Sequence, residues 1–273
     1  MIQAKNSVGA DGKRLRFSGN ACDLSGTLLV RRGSKRPFHI AAGMGNHLEE
    51  PINGVALAPC VNLSSKKLTG LALSADNKFD AGIDGLSLAI FSQAARGRVR
   101  GASIGLWGTL AKEVSGVSAS LCASFVPGNV RGISFSTALN VAGLEKHMRE
   151  GVKTEEVCGD IKGVAFGGCV NFSSSTAGFA FGGLFNDVIG NLKGVAAGLI
   201  TRVRGAAQGL ILSCVGTCKS FSGVMVGIVN ICEERSSGIQ IGLLNIRKDA
   251  PWFAKAIPGM AVRLRRADYE KKD

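Results

Sequence analysis

The sequence predicts an all-β repeat protein, a β-solenoid with units of about 15 to 16 residues, and three observations predict it. The nine letters "GVMVGIVNI" at Gly223 return fifteen residues later as "GIQIGLLNI" at Gly238. Related units keep the same beat across most of the chain. Within each unit an apolar alternation runs for a few residues and then slips by one.

Units begin at Gly54, Gly70, Gly85, Gly101, Gly116 and Gly132, and again at Gly163, Gly178, Gly194, Gly205, Gly223 and Gly238. Most steps are 15 or 16 residues. The step of 31 from Gly132 to Gly163 reads as two steps with one unit missing. The unit from Gly194 reads as short and the next as long.

Second and fourth positions are apolar, as in Val55 and Leu57, Ile133 and Phe135, or Phe179 and Phe181, with a small or polar residue between. A period of two is the mark of a strand, and Val, Ile and Phe suit strands. A further short apolar group follows, often closed by Asn. The residues expected to set the structural repeat are Gly163, Asn171, Gly178, Asn186, Gly223, Asn230, Gly238 and Asn245. Polar joints such as "SSKKLTG", "GNVRG" and "GNLKG" supply turns.

Two arrangements fit these elements. In a solenoid each unit is one coil, or half of a 31-residue coil, and equivalent Gly and Asn stack. In an antiparallel up-and-down meander each unit is one long strand, and the set closes into a β-barrel. The slip in phase favours the coil. Sixth and seventh positions are both apolar in Leu106–Trp107, Leu121–Cys122 and Leu243–Leu244. A flat strand would turn every later side chain to the wrong face, whereas a bend absorbs the slip.

Residues 1–50 read as an N-terminal cap with short strands, and 51–249 as the β-repeat domain. The charged stretch 143–160, "GLEKHMREGVKTEEVCGD", reads as an inserted loop or short helix. Residues 250–273 read as a C-terminal cap and charged tail.

At "GIQIGLLNI", "GVMVGIVNI" and "GFAFGGLFN" the chain resembles the bacterial surface-repeat proteins first described as lipoproteins in Leptospira, whose units read G-hydrophobic-Q-I-G-L-hydrophobic-N. The ending "PWFAKAIPGMAVRL" is similar to that family's closing segment. The likeness is close over residues 163–265 and looser over 54–140. It implies a fold type and no reaction. Members commonly carry an export signal, which the opening "MIQAKNSVGADGKRLRF" lacks. No apolar run reaches the roughly 18 residues of a transmembrane helix. Localisation is therefore left between cytoplasmic and membrane-associated by a non-classical route.

Composition limits the function. Gly makes up 38 of 273 residues, about double the ordinary share of roughly 7%. Apolar content of 45% is too high for disorder. Aromatics at 6% are too few for membrane-barrel girdles or for base stacking along nucleic acid. The eight Cys include no C-x-x-C and read as reduced, small apolar residues. Cys60, Cys122 and Cys169 share one unit position, which points to packing.

"GASIG" matches a nucleophile elbow around Ser103, but "GVAAG", "GAAQG" and "GVMVG" fill the same place elsewhere, so Ser103 reads as a strand residue. His39, His47 and His147 have no ligand spacing. Cys214 and Cys218 lack further ligands nearby. No catalytic residue, metal, cofactor or small-molecule substrate is inferred. The net charge of +13 is the remaining hint. Lys66, Lys67, Arg98, Arg100, Arg131, Lys162, Lys193, Arg202 and Arg204 lie at unit junctions, where stacking would line several along an edge that could hold anions. The expectation is a non-enzymatic scaffold, surface or assembly protein with basic edges. Its partner would be itself, as a homo-oligomer or filament, or another protein. A membrane-embedded barrel or pore is the alternative, and a basic module for nucleic acid or another anionic polymer or surface is a second.

Overall fold

The structure, a computed structural model, describes residues 4–9, 12–17, 22–24, 28–31, 38–48, 51–143, 160–234, 236–248 and 255–263. Among them every regular element is a strand. The chain winds as a β-solenoid of about 12 turns. Gly54 lies beside Gly70, Gly70 beside Gly85, Gly85 beside Gly101 and Gly101 beside Gly116, always in parallel register. The antiparallel meander and barrel are thereby overturned: a meander pairs each unit with its reversed neighbour, and here each unit meets its successor head to head. At roughly 4.8 Å per coil the stack is about 58 Å long.

Each coil has two straight sides. In one representative coil the first side ends at Gly105, the chain bends at Leu106–Trp107, and the second side begins at Gly108. The slip in the sequence falls on this bend. Backbone bonds continue through it, with Trp107 N–H donating to Phe91 C=O at 3.0 Å and Phe91 N–H to Ala75 C=O at 2.8 Å.

The Gly that opens each unit is a second fixed point. Gly116 and Gly178 both have φ of 139°. A Cβ on Gly178 would stand 2.1 Å from the carbonyl oxygen of Gly163. No side chain fits that gap, and an L-residue avoids that φ.

The interior is graded. Close to the Leu106–Trp107 corner it holds small residues, Ala56, Ala72, Ser87 and Ser103 in one row and Asn62, Asn77, Gln93 and Thr109 in another, all buried. Toward the opposite corner it widens, and Leu68, Ile83, Val99 and Val114 share a core with Phe79, Ala95, Ala111 and Val126. Burying such Leu, Ile or Val side chains stabilises by about 1.5–3 kcal/mol each.

Buried Asn side chains bond up the stack. Asn46 donates to Asn62 at 2.7 Å and Asn62 to Asn77 at 3.0 Å. Asn140 donates to Asn171 at 2.9 Å and Asn171 to Asn186 at 2.8 Å. Asn230 donates to Asn245 at 2.8 Å. Between these runs hydroxyls take over, Ser118 to Thr109, Thr109 to Ser124, and Ser134 to Asn140. Where the row contains Gly216, the same coil carries the bulkier Ile211 instead of Ala, and the Met225 sulfur of the next coil would stand 3.4 Å from a Cβ on Gly216, so the space is filled.

Two readings of the repeat are corrected. The unit assigned to Gly205 begins at Gly209, which has φ of 129° and packs on Gly194. Gly205 sits beside Gly190 and Asn191, in the polar joint. The step of 31 residues is one coil: Gly132 pairs directly with Gly163 and Asn140 with Asn171. The described strands of this coil end at Ala142 and resume at Asp160. Nearly all of the predicted insertion, 144–159, lies outside the described residues.

Parallel pairing also links Cys22–Leu24 to Phe38–Ala42 and Leu28–Arg31 to Gly45–Leu48. Antiparallel pairing occurs at both ends of the stack: Ala4–Gly9 with Gly12–Phe17, and Ser236–Arg247 with Ala256–Arg263. Such reversed strands cover a backbone edge that would otherwise be open.

Candidate interaction surface

The interior row is Ala or Ser from Ala56 to Ala196 and larger only at Ile211, Met225 and Gln240, and the second and fourth residues of each unit point outward. Leu57, Leu73, Leu88 and Ile104 form one row on the outside of the first side. Further along it, the rings of Phe135, Phe166 and Phe181 stack with centroids 4.8 and 4.7 Å apart. Each outward side chain is partly covered by its neighbours in the row, and its tip faces out.

The row adjoins the bend, which is apolar too. Ile90, Phe91, Leu106, Trp107 and Leu121 are all exposed there, Trp107 to 66%. Cys60, Cys122 and Cys169 lie on this corner with exposed free thiols. That corrects their reading as packing residues: the shared position is a turn, so stacking brings the three to the surface. Leu57, Pro59, Leu73, Leu88, Ile104 and Leu106 line a groove of about 550 Å³.

On the far corner the surface is polar and laced with ion pairs. Lys67 pairs with Asp84. Arg98 meets Glu113 through Nε at 2.8 Å and Nη2 at 2.7 Å. These four residues, with Arg100 and Lys112, line a depression of about 400 Å³. Arg204 grips Asp187 through Nε at 3.2 Å and Nη2 at 2.5 Å. This hydrogen bonding raises the Arg204 pKa above its usual value despite some opposing burial. Asp187 is only 1% exposed and Arg204 47%. Arg204→Gln should therefore strand a buried carboxylate and destabilise by about 2 kcal/mol, less than for a fully buried pair because water reaches the guanidinium. A double-mutant cycle with Asp187→Asn in chemical denaturation measures it; additivity of the two changes would refute the coupling.

The sequence-derived cations thus divide. Lys67, Arg98 and Arg204 are engaged by acids. Lys66 lies on the polar corner and Arg202 on the second side of its coil, in register with Asp187. Arg100, Arg131, Lys162 and Lys193 share one outward row, one residue before the stacked Gly, interleaved with Ser115 and Ala177. All four are exposed, and none forms an ion pair with a described residue. Their row runs alongside the outward apolar rows. Sequence reasoning found the cations but missed the apolar surface beside them. Its signal was already present: the large residues alternate with residues too small to be the outer partner.

The other candidates are placed as follows. Ser103 is fully buried in the interior row. His47 is exposed, and Glu49 and Glu50 lie outside the described residues. Cys214 is half-buried near the corner, whereas Cys218 turns inward beside Cys232. Hydrogen bonding with Cys232 and burial push the Cys218 thiol well above the usual range, which leaves it unreactive. Among the described residues no group of three or more His, Cys, Asp or Glu could hold a metal ion. Nor is any helix there long and apolar enough to cross a membrane. No family model, curated protein or solved structure matches the chain.

Proposed function

We propose that the protein is a non-enzymatic scaffold that works through the apolar outer rows of its solenoid. One observation carries this: small residues fill the coil, so bulky apolar residues cover the outside. A strip about 58 Å long and about 15 Å wide amounts to roughly 900 Å², against roughly 300–600 Å² for the largest patch on an ordinary monomer. Surface of that extent marks an interaction site. The regular stack supports it as a rigid, repeating platform, the usual use of solenoids. Ser103 is sealed inside, and Lys67, Asp84, Arg98 and Glu113 of the polar depression are engaged in ion pairs, which supports a role without catalysis.

The folded chain should bind the dye ANS, which reports exposed apolar surface. The triple variant Leu73→Gln, Leu88→Gln, Ile104→Gln should lose most of that signal. Its far-ultraviolet circular dichroism should be unchanged, and its stability altered by only about 0.5 kcal/mol per site. Equal dye binding by the variant, or none by the native chain, would refute the proposal.

A further inference from the structure

The geometry points to an anionic lipid bilayer as the occupant of this surface. The solenoid lies along the membrane, with its apolar side and corner in the interfacial layer and the row of Arg100, Arg131, Lys162 and Lys193 against the headgroups. The inference rests on the apolar side being the working surface.

Charge selects the occupant. A symmetric pairing of two antiparallel copies through this side would bring two such rows to one edge, and any pairing joins chains that each carry a net charge of +13. The row holds one described acid beside these cations, Asp84 next to Arg100, which Lys67 already engages, and from Arg100 to Lys193 its residues are basic, Ser or Ala. An anionic surface removes that repulsion. The arrangement is that of an interfacial amphipathic element, whose apolar strip enters the acyl boundary while adjoining Lys and Arg remain at headgroup level. A β-solenoid achieves it with rows in place of a helical stripe. Duplex nucleic acid would use the cations and leave the apolar strip uncovered.

The corner supplies the bulk. Phe91, Leu106, Trp107 and Leu121 project from three consecutive coils. Trp107, the best placed to enter the interface, is also a spectroscopic probe. It is one of two tryptophans, and the other, Trp252, lies outside the described residues.

The test uses the full chain carrying Trp252→Phe, mixed with vesicles of phosphatidylcholine alone or of equal parts phosphatidylcholine and phosphatidylglycerol. Flotation should show binding to the anionic vesicles only, weakening as salt is raised. Trp107 emission should move to the blue on binding. Each of Arg100→Gln, Arg131→Gln, Lys162→Gln and Lys193→Gln should weaken binding about fivefold. Leu106→Ser should weaken binding and reduce the blue shift of Trp107.

Absence of binding to anionic vesicles overturns the lipid assignment. So does binding that leaves Trp107 emission unchanged, or a preference for duplex DNA over vesicles. Concentration-dependent self-association that hides the ANS site, without vesicle binding, would retain the apolar platform and reject the bilayer as its partner. Loss of ANS binding itself would reject both.

Discussion

Gly178→Ala is expected to lower stability by about 4 kcal/mol, and the melting midpoint by roughly 10 °C. Two costs combine. The native φ of 139° is strained for alanine by about 1–3 kcal/mol. The new methyl would also stand 2.1 Å from Gly163 C=O, so the coils must part locally and weaken the parallel bonds on either side. Gly108→Ala is the control. Its φ is not positive, and the nearest atom to an added Cβ is Ala123 C=O at 3.5 Å, an ordinary contact. That variant should match the native protein within about 1 kcal/mol. Thermal unfolding followed by circular dichroism reads both. Equal melting of the two variants would show that the Gly stack does not hold the coils together.

Asn171→Ala should cost about 3–5 kcal/mol, with little change in overall strand content. Asn171 accepts from Asn140 and donates to Asn186, and all three are fully buried. Removing it orphans a donor below and an acceptor above, each worth about 1–3 kcal/mol when water cannot reach it, and leaves a small void as well. Asn171→Ser should lose less, because Ser124 occupies the same row two coils earlier and bonds laterally through its hydroxyl. Denaturant titration with the order native, Ser, Ala is the expected result. An Ala variant as stable as native would mean that the Asn row is incidental.

Much of this architecture was legible in the residues. The recurrence of Gly at steps of 15 or 16 residues, with Asn at the eighth or ninth place of the unit, has one economical meaning: equivalent atoms stack. The phase slip at Leu106–Trp107 and Leu121–Cys122 marked the bend that separates a coil from a flat strand. The candidate surface was legible only in part. Charge at the joints predicted cations on an edge, yet which of them would be free depended on Asp84, Glu113 and Asp187, distant by many residues in the chain and adjacent only once the coils are wound.

Local spacing, chirality and turn chemistry are properties of a short segment, so the sequence by itself determined the coil and the Gly and Asn rows, whereas stacking chose one unit per coil over two. Tertiary structure decided the direction of the alternation, because a period of two is symmetric until the width of the coil is known. Where the two sides approach the Leu106–Trp107 corner, the row from Ala56 to Ser103 has room for Ala or Ser only, and Leu57, Leu73, Leu88 and Ile104 are forced outward. Stacking also chose Gly209 over Gly205 and joined Gly132 to Gly163, since register is satisfied between neighbouring coils rather than counted along the chain.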